Sequence, residues 1–299
     1  FALKQHAGVP AQPIVCKGVN IVRGQMIAAK PKNALGSNIF SSINGRVTAV
    51  DDCNITVEES NTNYAEYRKL TGNSPAELIE EAGIVGLGGA GFPTSVKLNV
   101  KFDGGGAVLV NAAECEPILS HNIARIEKEP EHLIAGLKIV MELVNAEKGI
   151  IAEKGIHKEA IAKLKEEITE KNIEISELEN IYPMGEERAV VRETLGILLE
   201  PKQLPMAANA IVINAETVLR IREAVEDKKP LIDKDMTVAG KLKEDASVHI
   251  FFDIPIGMKV ADVIEKAGGL GEEYGELIMG GPFTGKRTSM EASVIKTTG

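Results

Sequence analysis

The sequence predicts a multidomain α/β protein, and three observations carry that prediction. Residues 1 to about 60 contain short strand candidates separated by glycine and asparagine turn signals, which is typical of a small all-β unit. From Asn73 onward, short apolar runs alternate with amphipathic helix patterns, which indicates a parallel α/β sheet. After about residue 235, two more strand candidates precede a helix that ends at Gly268-Gly269. The predicted domains are therefore residues 1–60, 61–234 and 235–299.

Composition excludes several classes of protein. The chain has 299 residues, 44% hydrophobic and 26% charged, as in an ordinary globular protein. Its net charge of −9 argues against a nucleic-acid-binding surface. No apolar run approaches the roughly 20 residues of a membrane helix, so we expect no direct membrane span. The number and spacing of the cysteines suit a reducing compartment, so we expect a cytoplasmic location. The three cysteines have no metal-ligand spacing, which predicts no metal site. Because the chain starts at Phe1, we expect it to be a fragment of a longer protein.

The first and last domains have more specific expectations. The two halves of the N-terminal unit, residues 18–25 and 42–47, resemble those of biotinyl and lipoyl carrier domains, which predicts a barrel-sandwich hybrid. Lys30 and Lys32 lie between the halves without the sequence context of a carrier lysine. A docking or scaffolding barrel is therefore favoured over a covalent carrier. The helix at residues 260–267 and its flanking strand candidates fit a small β-grasp domain.

The most distinctive segment is the glycine loop, which we define as residues 86–94. It reads Gly-Leu-Gly-Gly-Ala-Gly-Phe-Pro-Thr and is followed by Lys97. Backbone amides in such a loop can point at one anion, as in phosphate sites. No Gly-Lys-Ser/Thr closes the loop, and G-x-G-x-x-G does not fit it, so it is neither a P-loop nor a dinucleotide fingerprint. It predicts a phosphate site of another kind, with an ordinary tight turn as the alternative.

Three strand candidates, at residues 107–110, 179–182 and 211–213, run directly into polar segments. These segments are residues 111–117, 183–187 and 214–217. Parallel strands place their carboxyl ends at one edge, so we expect one crevice there. Its carboxylates suit the hydroxyls of a polyol, because ionised carboxylates only accept hydrogen bonds. A ligand with one phosphate and a polyol, such as FMN, fits both features.

Simpler explanations exist for several of these residues. Glu186 and Glu187 are also what a solvated helix start would carry. Cys115 is more typical of a small buried side chain than of a nucleophile, because neighbouring carboxylates oppose thiolate formation. His121 and His157 have no partner cluster, so core or surface positions are favoured over metal binding.

Four motifs together resemble a known family. The glycine loop with Lys97 looks like the flavin loop of the NADH-binding flavoprotein subunit of respiratory complex I. Residues 111–117, 185–187 and 214–217 are similar to that family's three other flavin motifs, in the same order. Leu87 and the Glu-Cys-Glu-Pro of residues 114–117 are closer to the RnfC branch of ion-pumping ferredoxin:NAD oxidoreductases. An N-terminal barrel and a C-terminal β-grasp of the soluble-ligand-binding (SLBB) type also match that branch. The segment 280–286 resembles the RnfC-like electron-transfer protein associated with proline reductase.

The resemblance implies roles for individual residues. Phe92 and Glu116 would contact NADH, and no residue of the chain would be catalytic, because the flavin carries the chemistry. Leu87, Ala113 and Ile213 depart from the complex I pattern, which has arginine, aspartate and asparagine there. The implied FMN-binding residues are Gly86, Gly88, Gly89, Lys97, Asn111, Glu114, Tyr182, Gly185, Glu186, Glu187 and Asn214.

The resemblance also implies an activity. FMN would accept a hydride from NADH, and [4Fe–4S] clusters in a region beyond this chain would carry electrons onward. The acceptor would be ferredoxin, the membrane subunits of an Rnf complex or proline reductase, with the protein peripheral to the inner face of the membrane. Two alternatives stay open at this point: a flavin-free docking scaffold, and a cobalamin reductase of the RnfC-like type.

Overall fold

The structure, a computed structural model, describes residues 1–61, 63–243, 248–272 and 274–299. Its contacts separate into two compact units. The first unit consists of Phe1–Val96 together with Glu223–Gly299, and the second consists of Lys97–Arg222. The second unit is thus inserted into the chain of the first. The three-domain division predicted above stays a prediction.

The elements of the first unit are mostly short. A π-helical turn, Glu223–Asp227, leads from the second unit back into the first. Helix α2 Thr94–Lys97 ends with the first residue of the second unit. In chain order the others are β1 Gln12–Pro13, β2 Asn20–Ile21, β3 Met26–Ala29, β4 Ile39–Phe40, β5 Asn44–Val50, β6 Ile55–Asn61, α1 Pro75–Glu81, β11 Asp233–Val238, β12 His249–Pro255, α8 Val260–Lys266, β13 Leu277–Met279 and β14 Lys286–Thr288.

The second unit alternates strands and helices, as its sequence pattern predicts. A 3₁₀ turn, Pro205–Ala208, precedes its last strand. Its other elements are β7 Ala107–Asn111, α3 His121–Lys128, α4 Pro130–Val144, β8 Lys148–Lys154, α5 Lys158–Glu167, β9 Ile173–Leu178, α6 Glu187–Leu195, β10 Ala210–Asn214 and α7 Ala215–Arg222.

The N-terminal all-β prediction is confirmed. Strands β1, β3 and β4 form one antiparallel sheet, and β2, β5 and β6 form another. Ile21, Ile27, Val47 and Ile55 are buried together between these strands. Apolar residues at alternate strand positions pack inward, which is what a small two-sheet barrel requires.

The predicted parallel sheet is also confirmed, with strand order β10-β7-β8-β9. Helix α6 packs on the face that carries Leu109 and Val212. Alternation sends Val108 and Val110 to the opposite face, where α4 and α7 contact β7. Both faces are covered, which explains why these strands read as continuous apolar runs.

One predicted strand is wrong. Residues 179–182 form no strand, and the edge strand of the sheet is β9, which ends four residues before Tyr182. Ile181 and Tyr182 are each 52% exposed, whereas Ile173 and Leu178 are buried. The predicted strand was therefore based on two apolar residues, Ile181 and Tyr182, that lie outside the core. The crevice segment 183–187 is reached through a turn that begins after residue 178.

The two stretches of the first unit are joined by hydrogen bonds. Leu70 donates to the carbonyl of Lys228 at 2.8 Å, and Leu231 donates to that of Ala82 at 3.1 Å. Helix α1 starts with the predicted cap, in which the Ser74 hydroxyl accepts from the amide of Glu77. Strands β11 and β12 form one hairpin and β13 and β14 another. The β-grasp assignment of this region stays a prediction.

Within the part of the chain that the structure describes, no helix is both long and apolar enough to cross a bilayer.

Candidate functional site

The order of the strands reverses between β7 and β10. The chain moves from β7 to β8 to β9 on one side, and then returns to form β10 on the other side of β7. This reversal makes the β7–β10 boundary the topological switch point, where open α/β sheets bind ligands beyond their carboxyl ends. Asn111 and Asn214 are the last residues of these strands and pair directly in register. Two of the predicted site residues therefore lie side by side at this point.

A loop from the other side of the sheet reaches Asn111. The Asn111 side chain donates from Nδ2 to the carbonyl of Gly185 at 2.8 Å and accepts from the amide of Ala113 at 3.2 Å. The amide of Gly185 donates to Cys115 Sγ. A Cβ on Gly185 would lie 2.6 Å from that sulfur and 3.4 Å from Asn111 Oδ1. The glycine is required by this close approach, in which Cys115 Sγ accepts a hydrogen bond and packs against Gly185.

The start of α6 supplies charged groups near this loop. Glu186 is the N-cap, and its carboxylate accepts from the amide of Ala189 at 3.2 Å and from Arg188 Nε at 3.1 Å. Glu187 lies in the first turn and binds Lys97 Nζ at 2.7 Å. The simpler explanation given above, that Glu186 belongs to the start of a helix, is thus confirmed. Glu187 instead holds the lysine that is predicted to meet a phosphate.

Glu114 is buried with polar partners on α3. Its oxygens accept from Asn122 Nδ2 and from the amide of Ile123, both at 3.3 Å, and His121 Nδ1 is 3.4 Å away. Burial raises the pKa of Glu114 to about 7, and the negative charge of Glu216 raises it further. At neutral pH this carboxyl therefore exists in both protonation states, and it can donate as well as accept.

Glu153, at the end of β8, was missed in the sequence. It is 0% exposed, and burial raises its pKa to about 9, with Glu114 adding to the shift. One of its oxygens accepts from the amide of Lys154, and the other has no hydrogen-bond partner. The rule that directed attention to the ends of β7 and β10 applies equally to β8, so the same signal could have found this residue.

The glycine loop belongs to the first unit. It closes on itself, because the amide of Gly86 donates to the carbonyl of Phe92 at 2.9 Å and Thr94 donates to that of Ile84 at 3.0 Å. Between these bonds, residues 88–90 are exposed to solvent. A Cβ on Gly89 would meet nothing within 4 Å, so the backbone there is open to an approaching group. Phe92 is 41% exposed.

The predicted site residues therefore fall into two groups. Gly86, Gly88, Gly89 and Phe92 lie in the first unit, and the remaining predicted residues lie in the second. Within the second unit, contacts join Asn111 to Gly185 and Lys97 to Glu187. Tyr182 is largely exposed and Glu116 is partly buried. The ligand-binding roles of these two residues stay predictions.

The donor set fits FMN in part. In the first unit, an exposed glycine backbone suits a phosphate. In the second unit, Lys97 suits a phosphate, and amide and carboxyl groups at the switch point suit hydroxyls. The three departures from the complex I pattern replace polar side chains with apolar ones, and Leu87, Ala113 and Ile213 are each no more than 3% exposed. No group of three potential metal ligands occurs among the described residues.

Two family models match the chain. Residues 1–64 match the RnfC barrel sandwich hybrid domain, and residues 79–223 match the Nuo51 FMN-binding domain. The second match covers the glycine loop and the whole parallel sheet. It agrees with the partial fit of the donor set to FMN.

Similar curated proteins are found among redox enzymes. The C subunit of the proton-translocating ferredoxin:NAD(+) oxidoreductase complex of Clostridium ljungdahlii is 30% identical over 98% of this chain and 68% of its own length. The C subunit of the Na(+)-translocating complex of Acetobacterium woodii is 30% identical over 94% of this chain and 67% of its own length. The cobalamin reductase PduS of Citrobacter freundii is 37% identical over 75% of this chain, which spans 48% of that protein.

Among solved structures, the NAD+-reducing [NiFe]-hydrogenase in the H2-reduced state shares the fold. The TM-score is 0.62 at 20% identity, over 75% of this chain and 45% of that one. At that identity the likeness concerns the fold alone. The matches to the two ferredoxin:NAD(+) oxidoreductase proteins, by contrast, extend over nearly the whole chain. The chain therefore belongs to the RnfC family.

Proposed function

We propose that this chain is the FMN- and NADH-binding part of an electron-transfer subunit. The observation that carries the proposal is the switch point, where Asn111, Asn214 and a sterically required Gly185 meet inside a sequence that matches an FMN-binding domain. Bound FMN would supply the acceptance of a hydride from NADH and the release of the hydride's two electrons one at a time, with its proton going to water. The chain's own residues bind and orient the two ligands and exclude water from them.

The residues divide into three binding roles. The backbone of Gly86, Gly88 and Gly89 and the ammonium of Lys97 hold the phosphate. Asn111, Glu114, Gly185, Glu187 and Asn214 hold the ribityl chain and the ring edge, with Glu186 fixing the start of α6 and Tyr182 covering the ring. Phe92 and Glu116 contact NADH.

Glu187 keeps Lys97 oriented before the ligand arrives. The two side chains are 2.7 Å apart and 31% and 45% exposed, so solvent screens their attraction. A phosphate, with two negative charges near neutral pH, competes well for this ammonium. Lys97 can therefore exchange Glu187 for the phosphate. The ion pair orients the lysine in advance and contributes little to stability.

The proposal is tested by titrating the chain with FMN and following flavin fluorescence. Lys97→Met should weaken binding by about tenfold or more, because a hydrogen bond to a charged group contributes about 1.5–3 kcal/mol. Lys148→Met is the matched control, because Lys148 is the first residue of β8 and lies at the amino ends of the strands, away from the carboxyl ends where the site is proposed. Equal losses in the two variants would contradict a phosphate site at Lys97.

A second experiment tests the switch point by adding a methyl group that would clash there. Gly185→Ala places a methyl against Cys115 Sγ and should also weaken FMN binding, whereas adding Cys115→Ala should restore most of it. Wild-type protein that is folded but shows no saturable binding at tens of micromolar FMN would defeat the flavin proposal. The buried Leu87, Ala113 and Ile213 would then favour a docking scaffold.

NADH is tested next by mixing it with the loaded protein and following the bleaching of the flavin absorbance. NADPH is the comparator. We propose an electron-acceptor protein as the partner: ferredoxin, the membrane subunits of an Rnf complex, to which the protein would attach peripherally, or proline reductase. Clusters of the [4Fe–4S] type in a further region of the protein would connect the flavin to that partner.

A second candidate, cobalamin reductase, is favoured by the 37% identity to PduS of Citrobacter freundii. The two candidates share the flavin and NADH steps and differ in the acceptor. Reduction of a cob(III)alamin by the longest form of the protein, faster than reduction of ferredoxin, would select this candidate.

A further inference from the structure

Lys296 is an ammonium group buried behind the glycine loop. It is 1% exposed, and its Nζ donates to three neutral oxygens: the Ser37 hydroxyl at 3.0 Å and the carbonyls of Asn38 and Gly83 at 2.5 and 2.7 Å. Burying a lysine in this way is costly, because the ammonium gives up its hydration. Such a group is expected to have a task beyond filling space.

The partners of Lys296 show what it holds. Gly83 follows the C-terminus of α1 and directly precedes Ile84, whose carbonyl closes the glycine loop by accepting from Thr94. The Ser37 hydroxyl also donates to the carbonyl of Gly83, at 2.7 Å. Lys296 and Ser37 thus converge on one carbonyl at the base of the loop.

Thr297 and the N-terminal segment hold the other side of the loop. The carbonyl of Gly91 accepts from the amide of Ala7 at 3.0 Å. A Cβ on Gly91 would lie 2.9 Å from Thr297 Cγ2 and 3.0 Å from His6 Cα, and Gly91 has a φ of +68°. Gln5 is bound to the same segment, because its Oε1 accepts from the amide of Lys296 at 3.2 Å. Lys296 therefore binds the segment that leads into the loop, and Thr297 lies close to Gly91 within the loop.

We propose that Lys296 and Thr297 form a latch that fixes the glycine loop, and that Lys296 is a positioning residue for the flavin phosphate. The inference rests on the proposed function for its ligand, and on the contacts within the first unit for its mechanism. The latch acts through the backbone at Gly83 and Gly91, without touching the phosphate. It leaves residues 88–90 exposed while holding the residues on either side of them.

The charge state of Lys296 affects the latch. Burial lowers its pKa to about 7, so the ammonium loses a proton near neutral pH. The protonated form has three donors for its three acceptors, whereas the neutral amine has two. His6, whose pKa is lowered to about 4 by burial and by Lys296, stays neutral in this range. Other titratable groups on the surrounding elements are Lys4, Lys30, Glu80 and Glu81.

Hydrogen exchange tests the latch without any ligand. In Lys296→Met, the amides of Gly86, Thr94 and Ala7, which close and hold the loop, should exchange at least tenfold faster. Lys259→Met is the matched control, because Lys259 is 57% exposed in the same unit. The amide of Ala82 in α1 and that of Ile55 in the barrel should keep their rates. A uniform increase at all five amides, or no increase at the loop, would overturn the latch.

Ser37→Ala is the milder variant in case Lys296→Met does not fold. It removes the hydroxyl between Lys296 and Gly83, and should speed exchange of the same loop amides by about threefold. Unchanged loop amides in a folded Ser37→Ala protein would count against the latch as directly as a negative result with Lys296→Met.

FMN titrations supply a readout that general destabilisation would not move. Glu114 also has a pKa of about 7 and contributes the same pH dependence to every variant. Wild-type affinity should therefore fall more steeply through pH 7 than the affinity of Lys296→Met, and Lys259→Met should match the wild type. An equally steep fall in Lys296→Met would overturn the role of Lys296. Absence of FMN binding in the wild type would instead defeat the proposed function, and the loop amides would still decide whether the latch exists.

Discussion

The two units bury ionisable groups of opposite kind. The first unit buries the base Lys296 among neutral oxygens, and the second buries the acid Glu153 with one oxygen unpartnered. In both cases burial is the main cause of the pKa shift, which is downward for the lysine and upward for the glutamate. The same physical cost therefore gives the two units opposite dependences on pH.

For the first unit, stability should rise with pH. The unfolded chain holds the Lys296 proton up to about pH 10.5, whereas the folded chain releases it near 7. Between these values the unfolded state binds more protons, so raising the pH favours folding. His6 acts in the same direction at lower pH, between about 4 and 6.5.

For the second unit, stability should fall with pH. Glu153 ionises at 4.5 in the unfolded chain and at about 9 in the folded one, and Glu114 ionises at about 7 in the folded chain. Between these values the folded state binds more protons, so raising the pH favours unfolding. Exchange of core amides in each unit, corrected for intrinsic rates, would measure the two trends separately.

The largest expected effect on stability is at Asp233, a buried carboxylate that is paired with positively charged side chains. Asp233 Oδ2 binds Arg23 Nη2 at 2.6 Å and Lys229 Nζ at 3.0 Å in the first unit. Asp233→Asn leaves the buried Arg23 without its carboxylate and should cost about 3–5 kcal/mol of unfolding free energy in denaturant titrations. Asp253→Asn is the control, because Asp253 is 43% exposed and 3.9 Å from Lys229. A similar loss in both variants would contradict the distinction between buried and screened charges.

The next effect concerns the acid of the second unit. Glu153→Gln keeps the shape and removes the titration, so the variant should gain about 2–3 kcal/mol relative to the wild type between pH 6 and 8. Denaturant titrations at the two pH values measure it. Glu174→Gln, at an exposed position on β9, should show no such gain. An equal response of the two variants would mean that Glu153 ionises normally.

A smaller effect of opposite sign is expected for the base of the first unit. Wild-type stability should gain about 1 kcal/mol from Lys296 between pH 7 and 8, and Lys296→Met should lack this gain. The comparison is made within each protein, so the lost hydrogen bonds of the variant cancel. A pH slope unchanged in Lys296→Met would show that the lysine keeps its proton in the folded chain.

The smallest effect on stability is expected at the predicted phosphate cation. Lys97→Met should change the unfolding free energy by less than about 1 kcal/mol, since its ion pair with Glu187 is half exposed. Thermal unfolding without ligand measures this. A large loss of stability would mean that the weaker FMN binding expected of this variant reports on the fold rather than on the site.

The sequence predicted correctly those features of the fold that depend on residues close together in the chain. The apolar run at residues 107–110 and the capping residues Ser74 and Glu77 depend on neighbours only a few positions away, and both are found as expected. The same rule identified Asn111 and Asn214, because strand ends can be read from where an apolar run stops.

The remaining features depend on contacts between distant positions. Lys296 reads as an ordinary surface lysine until Gln5, which is 291 residues away, is placed beside it. Tyr182 was predicted to lie in a strand because it is apolar, but the sequence pattern does not tell whether an apolar residue is buried or, like Tyr182, exposed. Gly185 is explained only by Cys115, which lies 70 residues earlier.

The insertion of one unit into the other has a consequence for synthesis on the ribosome. Domains that follow one another fold in order from the N-terminus as the chain emerges at about 5–20 residues per second. Here residues 97–222 are complete while the first unit, which begins before them, still lacks Glu223–Gly299. The contact between Gln5 and Lys296 waits for 291 residues, which takes about 15–60 s at those rates. The parallel sheet is thus available to fold before the proposed latch on the glycine loop can form.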